Sequence, residues 1–171
     1  ANTLLPLIAD DQDTAVALAT EAIQTFPGRF AHYYRAGLQR KLGLTEAREN
    51  DLALAQDLLT RMAENQADFT LTFRRLCDAV EPGSQNDGLV NRLFDDPAAF
   101  DEWAVRWRDR LASDGRSSAE RQRDMRSVNP AFIPRNHRVE EAIKAAAEEG
   151  DLEPFEQLIE VLASPYEDQA S

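Results

Sequence analysis

Met125-Arg126-Ser127-Val128-Asn129-Pro130-Ala131-Phe132-Ile133-Pro134-Arg135-Asn136-His137-Arg138-Val139-Glu140-Glu141-Ala142-Ile143 is the stretch where a charged helical pattern breaks into an extended run and then restarts. Proline fixes its own φ and pushes the residue before it out of the helical region, so Asn129 and Ile133 are held extended. Residues 128–135 are therefore expected to cross a surface as a strap anchored by Phe132 and Ile133. Asn136 is placed to cap the helix that follows, and Arg135 carries a planar donor fork suited to a buried carboxylate or a helix C-terminus. Asn129, Pro130, Pro134, Arg135 and Asn136 are thus the polar and backbone-restricting residues of the join. They serve either a strap that pins two helices together or a ligand-binding junction.

Outward from this join, apolar residues recur every three or four positions and no period-two pattern is sustained. That spacing predicts an all-α chain, an irregular bundle of about seven to nine helices with no sheet. A first helix is expected after Asp13, carrying Val16, Ala19, Ile23 and Phe26 and ending at Pro27-Gly28. A second follows at once, burying Phe30, Tyr33, Tyr34, Gly37 and Leu38, with Gly37 admitting a close helix neighbour and Gly43 as C-terminal cap. The third is expected over 45–66, with Thr45 at its start and Leu52, Ala55, Leu58, Leu59 and Met62 on its apolar face. Asp68 caps a fourth, which carries Phe69, Phe73, Leu76, Cys77 and Val80. Residues 81–88 combine proline, two glycines and short polar side chains and read as a loop. Asp96-Pro97 then starts a helix whose stripe is Phe100, Trp103, Ala104, Trp107 and Leu111. A short Arg-rich helix from Ser118 leads into the strap, and acidic helices over 138–149 and 154–163 flank a turn at Gly150-Asp151.

A chain of 171 residues, 43% of them hydrophobic, can bury a core and is most simply one domain. The single Cys77 has no partner for a disulfide within the chain and suits a reducing cytoplasm or an unstapled fold; the chain is expected to be cytoplasmic. No run reaches the length of a membrane span, and the first residues lack the basic start and long apolar region of a signal peptide. The formal charge of −12, from 31 acidic and 19 basic residues, opposes binding to nucleic acid or anionic lipid. Arginines nevertheless crowd residues 106–138, where they either lie against acidic neighbours or solvent or form a phosphate-binding or partner-docking face.

Residues able to carry chemistry are few. His32 and His137 have no cysteine or second histidine at metal-ligand spacing, and His32 reads as a partly buried helix residue. Cys77, four residues after Phe73 on an apolar face, reads as core, where burial makes a thiol a poor nucleophile. The paired carboxylates look like solvated helix faces, and there is no glycine-rich phosphate loop. Asp68-Phe69-Thr70 and His137-Arg138-Val139 echo kinase triplets but lack the glycine and the aspartate that define them. No catalytic, cofactor-binding or metal-binding residue is assigned.

Asn129-Pro130, Arg135-Asn136, Ala142-Ile143, Gly150-Asp151 and Pro165-Tyr166, in that order, resemble the C-terminal region of the selenoprotein O family, also called YdiU-like. Lys41-Leu42-Gly43-Leu44, Asp68-Phe69-Thr70 and Phe73-Arg74-Arg75-Leu76 extend the resemblance over nearly the whole chain. The family consists of pseudokinases that act as protein adenylyltransferases. The resemblance implies that these residues are a C-terminal piece of a longer enzyme that binds ATP with magnesium or manganese and transfers AMP to Ser, Thr or Tyr hydroxyls of proteins. It also implies that the nucleotide site lies upstream, in a kinase-like domain of the same polypeptide on which this helical region packs. The family often ends near a cysteine or selenocysteine that this sequence does not show. On this reading a solvent-facing apolar cluster is expected, because a supporting element exposes what it normally covers. The alternative is a free-standing helical interaction module without catalysis, docking an acidic partner through the Arg-rich segment.

Overall fold

The computed structural model describes residues 2–81 and 87–169, so most of the loop expected at 81–88 lies outside the described residues. The described secondary structure is entirely helical, as the apolar spacing predicts, with no strand among the described residues. The chain forms two compact units, residues 1–38 and residues 39–171.

The first unit holds a 3-10 turn at Asn2–Leu4, a short helix α1 (Leu5–Ile8) and most of the long helix α2 (Gln12–Lys41). Asp11, not Asp13, marks the start of α2, accepting the backbone N–H of Thr14 at 2.8 Å. Pro27-Gly28 does not end the helix; α2 runs through both for 30 residues, so the two expected helices are one. Proline removes a single backbone bond, and the turns on either side keep theirs, which allows passage where the ring meets solvent and not a neighbour. The expected burial of Phe30, Tyr33 and Tyr34 is also overturned: they are exposed, as are Ile23 and Phe26. A Cβ on Gly37 would meet nothing within 4 Å, so no helix among the described residues approaches it closely. The expected apolar cluster facing solvent is therefore present and lies on α2.

The second unit contains the core. Residues 42–50 leave the helical path, and α3 spans Asp51–Glu64 in place of the expected 45–66. The reason is local: Thr45 donates its hydroxyl to Asp114 at 2.8 Å, and Asp51 accepts the Arg48 N–H at 2.9 Å, which turns the chain before the helix begins. Helix α4 (Phe69–Leu76) starts where expected, with the Asp68 carboxylate accepting the Leu71 N–H. Helix α5 (Asp87–Asn91) and helix α6 (Pro97–Ala112) follow, and the Asp96 side chain caps α6. Phe100, Trp103, Ala104, Trp107 and Leu111 are all buried, and α3 and α5 pack against α6. Each buried indole needs an acceptor. Trp103 Nε1 donates to the Leu54 carbonyl and Trp107 Nε1 to the Leu42 carbonyl, both at 2.9 Å.

Helix α7 (Ser118–Arg126) opens with a capping box in which Ser117 and Glu120 each satisfy the other's backbone N–H. The strap follows, and then α8 (Asn136–Lys144), a π-turn at Ala145–Glu149 and α9 (Glu153–Ala163). Gly150, at φ +68°, terminates the π-turn in the left-handed conformation that glycine favours. Of the stripe expected on α9, Leu158 is half-buried while Phe155 and Ile159 remain about half exposed.

Candidate functional site

Four of the segments quoted for the family resemblance, at 41–44, 73–76, 129–130 and 165–166, converge within the second unit at the point where the strap leaves α7. A strap with two prolines has few backbone bonds of its own, and the last carbonyls of α2 and α7 have no intrahelical partner. Side-chain donors must meet these acceptors, which explains the concentration of Lys, Arg and Asn.

Asn129 is fully buried. Its Nδ2 donates to the Lys41 carbonyl at 2.9 Å, and its Oδ1 accepts from Lys41 Nζ at 3.2 Å. Lys41 Nζ also donates to the Val128 carbonyl at 2.9 Å and lies over the Phe73 ring, 5.4 Å from its centroid. Burial lowers the pKa of this ammonium, with smaller opposed contributions from Cys77 and Arg40. Arg74, on α4, reaches further. Its guanidinium donates to the carbonyls of Asn129 and Tyr166, each at 3.1 Å, and pairs with Asp168 at 2.8 Å. The hydrogen bond from Arg74 holds the Asp168 carboxyl below its ordinary value. Pro165 completes the closure, its carbonyl accepting the N–H groups of Ala131 at 2.8 Å and Phe132 at 3.2 Å. One arginine and one asparagine thus join α2, α4, the strap and the turn after α9.

The turn at 41–44 is held by three side chains in succession. Asn129 takes the Lys41 carbonyl, Trp107 that of Leu42, and Arg121 that of Gly43. Arg121 also donates to the Leu111 carbonyl at 3.2 Å and forms a buried ion pair with Asp114. Burial raises the Asp114 carboxyl, but hydrogen bonds from Arg121 and Thr45 outweigh it and leave the group at about 2.

The residues singled out in the sequence are placed unequally. Asn129 lies at the centre, and Pro130 beside it is half-buried. Pro134 is exposed. Arg135 pairs with Asp68 at 2.8 Å, where both side chains are partly exposed, so the carboxylate that caps α4 is also tied to the start of α8. The expected Asn136 cap is not made. Arg135 occupies the cap position, no side chain bonds there, and Asn136 is the first helical residue. Lys41, Arg74, Arg121, Asp114 and Asp168 complete the junction, and sequence reasoning gives them no role. Lys41 and Arg74 fall inside quoted motifs, whereas Asp168 carries no local signal.

Cys77 lies against this junction, fully buried, with Asn129 Nδ2 3.5 Å from its sulfur. Burial raises its thiol to about 11, as a core cysteine requires. His32 is exposed, contrary to expectation, and touches Tyr33 edge-on. Among the described residues no group of three or more His, Cys, Asp or Glu is placed to hold a metal ion. The Arg-rich segment is largely paired within the chain: Arg106 with Asp57, Arg110 with Asp51, Arg116 with Asp124 and Arg126 with Asp78. A groove of about 420 Å³ lies between the strap, α8 and α9, lined by Phe132, Ile133, Arg138 and Leu158, and a smaller one of about 270 Å³ is lined by Cys77, Asp78, Ser118 and Gln122.

The geometry describes a structural junction, and comparison with known proteins identifies its setting. The family model for the protein adenylyltransferase SelO matches residues 2–163. The chain belongs to the SelO family. Among curated proteins, the protein nucleotidyltransferase YdiU of Bradyrhizobium diazoefficiens is 54% identical over 169 residues, covering 99% of this chain and 34% of that protein. The YdiU protein of Nitrobacter winogradskyi is 53% identical over 169 residues, covering 99% of this chain and 33% of that protein. A YdiU protein of Methylorubrum extorquens is 53% identical over 174 residues, covering 99% of this chain and 35% of that protein. The chain thus spans about a third of the length of the SelO-family relatives it matches. No helix among the described residues is long and apolar enough to cross a membrane.

Proposed function

We propose that residues 1–171 are the helical C-terminal part of a cytoplasmic protein adenylyltransferase, bracing a kinase-like catalytic portion that lies outside them. In the complete protein, ATP with magnesium or manganese serves as AMP donor. A Ser, Thr or Tyr hydroxyl oxygen of a protein substrate bonds to the α-phosphorus, pyrophosphate leaves, and the hydroxyl proton is lost to a base outside these residues. The observation that carries the bracing role is the use of the motif side chains. Asn129, Lys41, Arg74 and Arg121 are committed to backbone carbonyls and carboxylates of this chain. Family membership and the one-third coverage of nucleotidyltransferase relatives support the remainder.

The test is AMP transfer to a protein acceptor by the full-length protein, with and without residues 1–171. Loss of transfer, or of thermal stability in the portion left behind, is the expected result. Undiminished transfer and stability in the truncated form would sink the bracing role. Internal pairing of Arg106, Arg110 and Arg126 favours this reading over a free-standing module that docks an acidic partner through them.

A further inference from the structure

Helix α2 carries a pattern that the functional reading does not use. Val16, Ala19, Ile23, Phe26, Phe30, Tyr33 and Gly37 follow one another at alternating steps of three and four residues, the repeat of a helix seam that faces a partner helix along its length. Thr14, Glu21, Gly28 and Arg35 recur every seven positions on the opposite face and are polar or small. The seam is open. Ile23 is 68% exposed, Phe26 65%, Phe30 56% and Tyr33 66%. Phe26, Phe30 and Tyr34 stack on one another at 5.9 and 5.7 Å, presenting a continuous aromatic surface.

Such a helix does not stand unsupported. Pro27 and Gly28 at its middle are the two residues that most disfavour a helix interior. Among the described residues of 1–38 the buried apolar ones are Ala15 and Leu38, which flank the seam and do not cover it. Most helical stability in proteins comes from packing of an apolar face, so something must lie along this one. The chain spans about a third of its relatives, and the remaining length is the occupant at hand.

We infer that the 16–37 seam of α2 is the surface through which this region docks, lengthwise, onto a helix of the same polypeptide outside residues 1–171. The inference rests on the proposed bracing role and names its contact. Gly37, with no atom within 4 Å of a built Cβ, leaves room for that helix to approach closely at one end of the seam.

Amide hydrogen exchange on the full-length protein and on the 171-residue chain tests it without any substitution. Exchange across 16–37 should slow roughly tenfold or more in the full-length protein. The double variant Phe26→Asp/Phe30→Asp should lower the melting temperature of the full-length protein. It should leave that of the 171-residue chain unchanged, since both rings already face water there, and Glu21→Gln on the opposite face should alter neither. Equal exchange in the two proteins, or no effect of the double variant on the full-length protein, would overturn the inference. So would sedimentation showing the 171-residue chain as a dimer that the variant dissociates, because a second copy would then own the seam. Destabilisation of a monomeric 171-residue chain by the variant would place the contact inside the chain and equally overturn it. Because exchange needs no catalysis, a protected α2 upholds docking even if the full-length protein transfers no AMP.

Discussion

Arg121 and Asp114 are both buried, and neither can lose its partner without leaving a charge in an apolar setting. Arg121→Met should therefore cost about 3–5 kcal/mol in urea unfolding, the range for breaking one side of a buried pair. The same pair sets an acid response. The Asp114 carboxyl titrates at about 2 in the folded chain against 3.8 ordinarily, so its contribution is present above pH 4 and drains as pH falls towards 2. The stability gap between the wild type and Asp114→Asn should accordingly narrow by of order 2 kcal/mol from pH 4 to pH 2. Unfolding curves at the two pH values check this; a constant gap would mean that the carboxyl is not held low. Asn129→Ala strips the Lys41 carbonyl of its donor and Lys41 Nζ of an acceptor, and should cost about 2 kcal/mol or more by the same assay.

At the scale of elements, two glycines with left-handed backbones separate conformational cost from steric cost. Gly43 has φ +71°, and a Cβ there would lie 2.7 Å from Met125 Sδ and 2.8 Å from Arg121 Cγ. Gly150 has φ +68° and nothing within 4 Å. Gly150→Ala should cost about 1 kcal/mol from backbone strain alone, whereas Gly43→Ala should cost about 2 kcal/mol more because two buried side chains must move. Paired melting curves give the difference, and equal losses would show that the turn at 41–44 can yield. Element type is legible because the apolar spacing never departs from the helical period, and the caps at Asp68 and Asp96 have their usual residues. Two boundaries are not. Pro27-Gly28 reads as a stop by the local rule for breakers, although the seam from Val16 to Gly37 keeps its phase straight through it. Thr45 reads as a helix start, but Asp114, far along the chain, holds its hydroxyl and delays the helix to Asp51. The capping box at Ser117 and Glu120 is a further signal, present in the sequence as Ser-x-x-Glu.

At the scale of the molecule, the same division between local and distant information explains the junction. Asn129 and Arg135 stand out by the prolines around them, whereas Arg74 and Asp168 meet only because the turn after α9 returns to α4, which no spacing in the sequence reveals. Apart from Ala15 and Leu38, every buried apolar residue described lies within residues 39–171, including both tryptophans and the Phe73, Phe94 and Phe100 side chains. Apolar burial is the main favourable term in folding, so residues 39–171 hold nearly all of it and residues 1–38 almost none. A chain of residues 36–171, which keeps the last turn of α2 and with it the Lys41 contacts to Asn129, should unfold cooperatively within a few degrees of the 171-residue chain. A peptide of residues 1–38 should show little helix alone, since Pro27 and Gly28 oppose it and its seam is uncovered. Calorimetry on the first and circular dichroism on the second decide the matter. If removal of residues 1–35 abolished the cooperative transition, α2 would have to be an internal support of the core, and its aromatic face could not be reserved for the rest of the polypeptide.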